Sequence, residues 1–260
     1  MQTSISHTDR YTNFCKKAAQ DIDVFEHFRA YPECKEIIET IPFQTGLSYL
    51  KIIEEENISL LDNMETFKNS ELIGNPEVFE YTIKKNFFIK QKFTIAPTTL
   101  RYIKVLSDLI GRFKDLNNID IVEIGGGYGG QCKIINDIFN FNSYTIFDLP
   151  EVLTLTEKYL NKFSVNNVNL LTLENIDKDK KYDLFLSNYA FTELTLNIQS
   201  KYLSLLLNSK SGYITYNNIN PESFGSYKLN DLLRILPNSE CSPEKPSTHP
   251  QNSIITWMNK

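Results

Sequence analysis

Residues 122–130 read Val-Glu-Ile-Gly-Gly-Gly-Tyr-Gly-Gly. They end a short apolar run, Ile119-Asp-Ile-Val-Glu-Ile124, and lead into a helix-like pattern from Gln131 to Phe139. Five glycines in six residues are costly to order, because glycine loses more backbone freedom on folding than any other residue. A bare turn needs one or two. The surplus points to a backbone that must come close to a ligand, ahead of a helix N-terminus with unpaired N–H groups.

Strand-like segments recur beyond the loop, at Ser143–Phe147, Val168–Leu173, Tyr182–Ser187, Gly212–Tyr216 and Ser253–Trp257. Helix-like stretches separate them at Glu151–Phe163, Leu194–Leu207 and Tyr227–Leu236. Alternation of this kind makes right-handed βαβ units and a mostly parallel sheet. It predicts an α/β doubly wound domain over residues 116–260. Ser242–Pro250 holds three prolines and reads as a surface loop before the last strand.

Residues 1–115 have another rhythm. Ile37, Ile38 and Ile41, then Leu47, Leu50 and Ile53, recur at helical spacing. Leu100, Ile103, Leu106, Leu109, Ile110 and Phe113 form a longer helical stripe after Pro97. Gly74-Asn75-Pro76 is a turn, and Thr94–Pro97 is extended because the residue before proline avoids the α region. These features predict a helical N-terminal region, 1–115.

The chain has 260 residues, a net charge of −5, 41% hydrophobic and 23% charged residues. Such a composition excludes global disorder and argues against a broad nucleic-acid-binding face, which needs clustered Lys and Arg. Four cysteines and three histidines show no metal-ligand spacing, so no metal is expected. Unpaired cysteines, a polar Met1–Phe14 and no apolar run of membrane-spanning length lead to the expectation of a cytoplasmic protein with no membrane span.

The loop fits two ligand classes. Gly125-x-Gly127-x-x-Gly130 suits a dinucleotide; Glu123-x-Gly125-x-Gly127-x-Gly129 suits S-adenosyl-L-methionine. Glu123 favours the second, since a carboxylate at the strand end suits a ligand that carries an ammonium and a sulfonium. The long region before the loop favours it too. Asp148 follows the second strand, 25 residues beyond Glu123, where an acidic residue accepts hydrogen bonds from ribose hydroxyls. The alternative for Asp148 is a helix cap ahead of Leu149-Pro150-Glu151.

Val122–Gln131, Tyr144-Thr-Ile-Phe-Asp-Leu-Pro-Glu-Val152 and Tyr182-Asp-Leu-Phe-Leu-Ser-Asn-Tyr-Ala-Phe-Thr-Glu-Leu194 resemble the sugar O-methyltransferase family of class I S-adenosylmethionine-dependent enzymes. The likeness extends upstream to Leu72-Ile-Gly-Asn-Pro76 and Thr94–Tyr102, and runs to about Asn218. It implies a Rossmann-like class I methyltransferase fold, with a seven-stranded, mostly parallel sheet whose last strand inserts antiparallel. It also implies transfer of the sulfonium methyl to an acceptor oxygen in bacterial surface polysaccharide or glycoside biosynthesis. Carried over, Glu123, Gly125, Gly127 and Gly129 surround the methionine part, with Gln131 beside them. Asp148 holds the ribose and Leu149 packs on adenine. Asn175 faces the adenine edge, and Asn188 the methionine end.

Candidates for a base are Glu193, Tyr189 and His249, set at or near the carboxyl ends of the strands where ligands of open α/β sheets sit. Glu193 also suits the first turn of a helix, and Tyr189 suits packing. Arg101 and Tyr102, on the helix after Pro97, are substrate-binding candidates: Arg101 can take a carboxylate or phosphate, or form a helix-surface ion pair. Phe87, Phe88 and Phe93 read best as core, and His7 and His27 as surface or packing. The expected partner is a small-molecule acceptor, a sugar or a phosphorylated or nucleotide-linked precursor, with a homodimer left open. Three alternatives stand beside it: a phosphate-type or amine acceptor, a nicotinamide-dependent oxidoreductase or epimerase, and a catalytically silent binding protein. A base-methylating enzyme is disfavoured, since Ser187-Asn188-Tyr189-Ala190 lacks the Asn-Pro-Pro-Tyr type of signature.

Overall fold

A computed structural model describes residues 4, 8–84 and 90–259. His7, Phe87 and Phe88 lie outside the described residues. Among the described residues the first elements are α-helices: α1 (Asp9–Gln20), α2 (Ile22–His27), α3 (Pro32–Lys35), α4 (Phe43–Glu56) and α5 (Met64–Lys68). A hairpin follows, β1 (Phe79–Lys84) and β2 (Lys90–Ile95), and then the long α6 (Pro97–Phe113). The sheet region runs β3 (Asp120–Ile124), α7 (Gly130–Asn136), β4 (Ser143–Phe147), α8 (Pro150–Lys162), β5 (Val168–Leu171), β6 (Tyr182–Asn188), α9 (Leu196–Leu207), β7 (Ser209–Tyr216), α10 (Leu229–Ile235), β8 (Ser239–Pro243) and β9 (Ser253–Met258).

The seven strands lie in the order β5-β4-β3-β6-β7-β9-β8. β5, β4, β3, β6 and β7 are parallel, and β9 runs antiparallel between β7 and β8. This is the Rossmann-like, mostly parallel architecture with an inserted antiparallel strand. β3 is apolar on both faces, with Ile121, Val122 and Ile124 buried, because helices cover both sides of the sheet. Chain order reverses at β3, whose neighbours are β4 on one side and β6 on the other. A crevice opens there, beyond the carboxyl ends of the strands.

The hydrophobic core continues from the N-terminal helices into the sheet. One buried cluster includes Phe28, Tyr49 and Leu106 together with Ile121, Tyr144 and Tyr159, so residues on both sides of position 115 share it. A second cluster, on the other side of the sheet, joins β6 and β7 to α9 and α10 through Phe185, Ile214, Leu205 and Leu232.

Three local expectations are corrected. The spacing of Ile37, Ile38 and Ile41 is not helical; these residues form a turn between α3 and α4, since Pro42 stands at the N-cap of α4. The N-terminal region also holds the β1–β2 hairpin. Alternation in Phe79-Glu-Tyr-Thr-Ile83 turns Tyr81 and Ile83 into the core against Phe93 and Ile95. β8 begins before the proline-rich loop; its residues are at most half-buried at the sheet edge, so no apolar alternation marks it.

β9 is fixed by a close contact. Gly212 of β7 pairs with Trp257 of β9, and a β-carbon on Gly212 would lie 2.1 Å from the indole ring. Trp257 is buried and donates its Nε1–H to the Ser209 carbonyl at 3.4 Å. Gly212→Ala is expected to destabilise the protein by about 1–3 kcal/mol through overpacking, read as a lower urea midpoint. An unchanged midpoint would mean that the ring shifts freely.

Candidate functional site

The glycine loop leaves β3 at Gly125. Gly125 has φ +74°, and a β-carbon there would sit 2.1 Å from the Ala190 methyl. Only glycine accepts both the left-handed backbone and the approach of the β6 end. The loop is pinned at Tyr128, which points away from the crevice and is buried. Its ring meets Phe28 at 5.1 Å and Tyr159 at 4.9 Å between centroids, and the Arg29 guanidinium lies 5.2 Å from its centre. Arg29 is itself buried and paired with Glu39 at 2.6 Å. Thr156 of α8 donates to the Gly127 carbonyl at 2.6 Å.

The loop borders a cleft of about 940 Å³. One wall is Glu123, Gly125, Gly126, Gly127 and Gln131; the next is Asp148, Leu149 and Thr172 to Glu174. Asn188, Tyr189, Glu193, Asn217, Thr248, His249 and Asn252 form the far end, and Arg101 and Tyr102 line the cleft as well. Most predicted site residues therefore meet in one place. Sequence reading missed the Glu36–Ile41 turn, which also lines the cleft, with the Ile38 side chain facing Gly127. It missed Asn217 and Asn252 as well, which lie far apart in the chain.

Two expected contacts fall elsewhere. Gly129 packs against Leu160 and Thr156 of α8, behind the loop. Asn175 is exposed, and its Oδ1 accepts from the Thr172 N–H at 3.1 Å and from the Thr172 hydroxyl at 2.8 Å. That cap turns it off the cleft and leaves Leu173 and Glu174 on the lining.

Asp148 follows β4 and uses both oxygens on backbone donors: Gly127 N–H at 3.0 Å and Leu149 N–H at 2.8 Å. The α8 N-cap is Leu149, so Asp148 does not cap that helix. Burial pushes its carboxyl up to about 6, against the pull of the two N–H groups. Glu123 is 2% exposed, and its Oε2 accepts from the Tyr144 hydroxyl at 2.9 Å. Burial, with some repulsion from Asp148, pushes it up to about 8 although Tyr144 pulls it down. Gln131 is buried and donates to the Tyr102 carbonyl at 3.2 Å, which leaves its Oε1 with no partner.

At the far end, β6 stops at Asn188, and Tyr189 has φ +67°. Its hydroxyl donates to Glu244, and burial pushes the phenol well above its ordinary range. Glu193 accepts from Asn217 at 2.8 Å; burial raises its carboxyl. His249 is exposed at the rim. Arg101 makes no ion pair among the described residues. Its guanidinium donates to the Ile38 carbonyl at 3.4 Å and faces the Tyr102 and Tyr189 rings at 5.4 and 5.9 Å, and among the described residues its Nε is buried without a partner. The helix-surface ion pair is thus not what the structure has. Phe93 and Phe191 are core residues, and His27 is exposed. Among the described residues no three metal-ligating side chains gather, and no helix is long and apolar enough to cross a membrane.

No protein-family model matches the chain, and none of the curated proteins matches it. Solved structures do. Magnesium protoporphyrin IX methyltransferase from Synechocystis PCC 6803 with bound S-adenosylmethionine is 12% identical, over 82% of this chain and 97% of that one, with a TM-score of 0.47. An rRNA methylase from Streptococcus thermophilus is 12% identical over 62% and 98%, at 0.46. The N-terminal domain of EvdMO1 with S-adenosylhomocysteine bound is 12% identical over 61% and 81%, at 0.46. At such identities they set no role for any residue here.

Burial raises both cleft carboxyls, Glu123 further than Asp148, so both make stability fall as pH rises. Glu123 keeps its proton up to about pH 8 in the folded chain, whereas its ordinary value is 4.5. Between those values the native state binds more protons than the unfolded one, so stability falls as pH rises, by at most about 1.4 kcal/mol per pH unit. Glu123→Gln removes this slope. It is expected to raise the melting temperature more at pH 8 than at pH 5; an equal shift at both would show Glu123 ionised throughout.

Proposed function

We propose that this chain is an S-adenosylmethionine-dependent O-methyltransferase for a small hydroxyl-bearing acceptor, a sugar or a sugar-linked precursor. The single observation that carries the reading is the hydrogen bond from the Gly127 N–H to Asp148, beside the buried carboxyl of Glu123, which has no cationic partner among the described residues. We assign Asp148 to the ribose hydroxyls, Leu149 to adenine and Gly125–Gly127 to the methionine part. Glu123 and the unpartnered Gln131 Oε1 suit a cationic ligand, since a buried acceptor oxygen left bare is unfavourable and an ammonium would satisfy it. A dinucleotide offers that end of the cleft no positive charge other than the nicotinamide ring, and the antiparallel β9 departs from the all-parallel dinucleotide arrangement.

When bound, S-adenosylmethionine supplies a methyl group already activated by its sulfonium. The chain's own task is then to bind, align and exclude water, where orientation contributes most. Glu193 is the proposed base: burial raises it above its ordinary value against the pull of Asn217 and Arg101, which makes it a better proton acceptor, and it stands at the cleft wall. Tyr189 has its proton committed to Glu244 and walls the acceptor side with His249. Arg101, unpaired, is the proposed partner for a phosphate or carboxylate on the acceptor or the cofactor. A cytoplasmic location and a place in surface polysaccharide or glycoside biosynthesis accompany this reading.

Calorimetric titration and thermal shift with S-adenosylmethionine, S-adenosylhomocysteine, NAD and NADP test it. The two sulfur ligands are expected to bind. At a hundredfold excess over Kd, S-adenosylhomocysteine should stabilise the fold by about 2.7 kcal/mol. Asp148→Ala should weaken both by about tenfold or more, as loss of hydrogen bonds to a charged group does. Binding of NAD or NADP with no response to either sulfur ligand would replace the methyltransferase reading by hydride chemistry.

A further inference from the structure

Where β7 and β9 part, two asparagines line the cleft. The antiparallel register ends with the pair Tyr216 and Ser253, so Asn217 follows the end of β7 and Asn252 precedes the start of β9. Each has its amide nitrogen taken by a carboxylate. Asn217 Nδ2 donates to Glu193 at 2.8 Å; Asn252 Nδ2 donates to Glu244 at 3.2 Å and to the Thr248 hydroxyl at 3.0 Å. These contacts fix which way both amides point, since a flipped amide would set oxygen against carboxylate oxygen.

The backbones are fixed too. Asn217 N–H donates to the Thr192 hydroxyl, and Asn252 N–H to the His249 carbonyl, both at 3.0 Å. Glu244 is buried and also accepts from Tyr189, from the Thr248 N–H at 2.9 Å and from the Thr248 hydroxyl at 2.7 Å. What remains is one Oδ1 on each asparagine, buried and without a partner. Asn252 as a whole is only 6% exposed. Two bare carbonyl oxygens in one cleft wall demand donors, because a buried acceptor left unmade costs about 1–3 kcal/mol.

We propose that Asn217 and Asn252 form a shelf that accepts hydrogen bonds from neighbouring hydroxyl groups of a polyol acceptor, with Glu193 and Glu244 as the positioning residues that hold the two amides. The inference deepens the methyltransferase reading and rests on it for the name acceptor, though the shelf itself can be probed without cofactor. They adjoin the last pair of the ladder, Tyr216 and Ser253, whose β-carbons stand about 5 Å apart as cross-strand neighbours do. A ligand with acceptors only would leave both oxygens bare and be rejected, as sites built for a hydroxyl reject analogues that lack it.

Ligand-detected saturation-transfer titrations test the shelf, on the protein alone and saturated with S-adenosylhomocysteine. The probes are methyl α-D-glucopyranoside and myo-inositol, with tetrahydropyran as the ring without donors. The polyols should bind at least about tenfold more tightly than tetrahydropyran, the equivalent of one or two hydrogen bonds. Asn217→Ala and Asn252→Ala should each remove most of that preference and leave S-adenosylhomocysteine affinity within about twofold. Equal binding of polyols and tetrahydropyran, no polyol binding, or a preference intact in both variants would overturn the shelf. The wild-type comparison stands even if a variant fails to fold. Loss of S-adenosylhomocysteine binding in the wild type would sink the cofactor reading alone, since the polyol preference is read separately.

Discussion

A loop built almost wholly of glycine has no side chains to hold it open, and Tyr128 is what prevents its collapse. The ring is driven into the helical region, against Phe28, Tyr159 and the guanidinium of Arg29. The Arg29–Glu39 pair is buried, so its attraction is little screened, and it ties the same wedge to the Glu36–Ile41 turn. One anchor therefore sets both the floor of the cleft, Gly125–Gly127, and the wall that faces it. This is why the N-terminal helices and the sheet share a core: the loop needs both to keep its shape.

The cleft that results is chemically uneven along its length. Near the loop it offers a carboxyl raised by burial, a bare amide oxygen and a carboxylate held by two N–H groups. At the other end it offers asparagine oxygens and a guanidinium that, among the described residues, makes no ion pair. Such unsatisfied groups are costly to keep in a native fold and persist where a ligand completes them. Their sorting by type, with acceptors for a cation near the loop and acceptors for hydroxyls near β7 and β9, is what separates the donor and acceptor halves of the proposed reaction.

Features encoded over a few adjacent residues were legible in the sequence. The glycine loop, the six strands read from apolar runs and Asp148 depend on local spacing, and each stands where spacing places it. Features that depend on pairing were not. β8 is an exposed edge with no apolar alternation, and the β1–β2 hairpin is marked only by alternation in Phe79-Glu-Tyr-Thr-Ile83. Asn217 and Asn252 come to line one cleft only through the antiparallel insertion of β9, which residue spacing alone did not suggest. Ile37, Ile38 and Ile41 look helical because a wall of a cleft and a face of a helix both call for clustered apolar residues. Asn175 was misplaced because a cap on Thr172 competes with a ligand for the same amide.

The most direct measurement is a crystal structure of the protein grown with S-adenosylhomocysteine. The account predicts ribose hydroxyls on Asp148, the amino-acid end along Gly125–Gly127 near Glu123 and Gln131, and the sulfur facing the end of the cleft that holds Asn217 and Asn252. A ligand bound with its ribose away from Asp148, or with its sulfur turned from those asparagines, would contradict it.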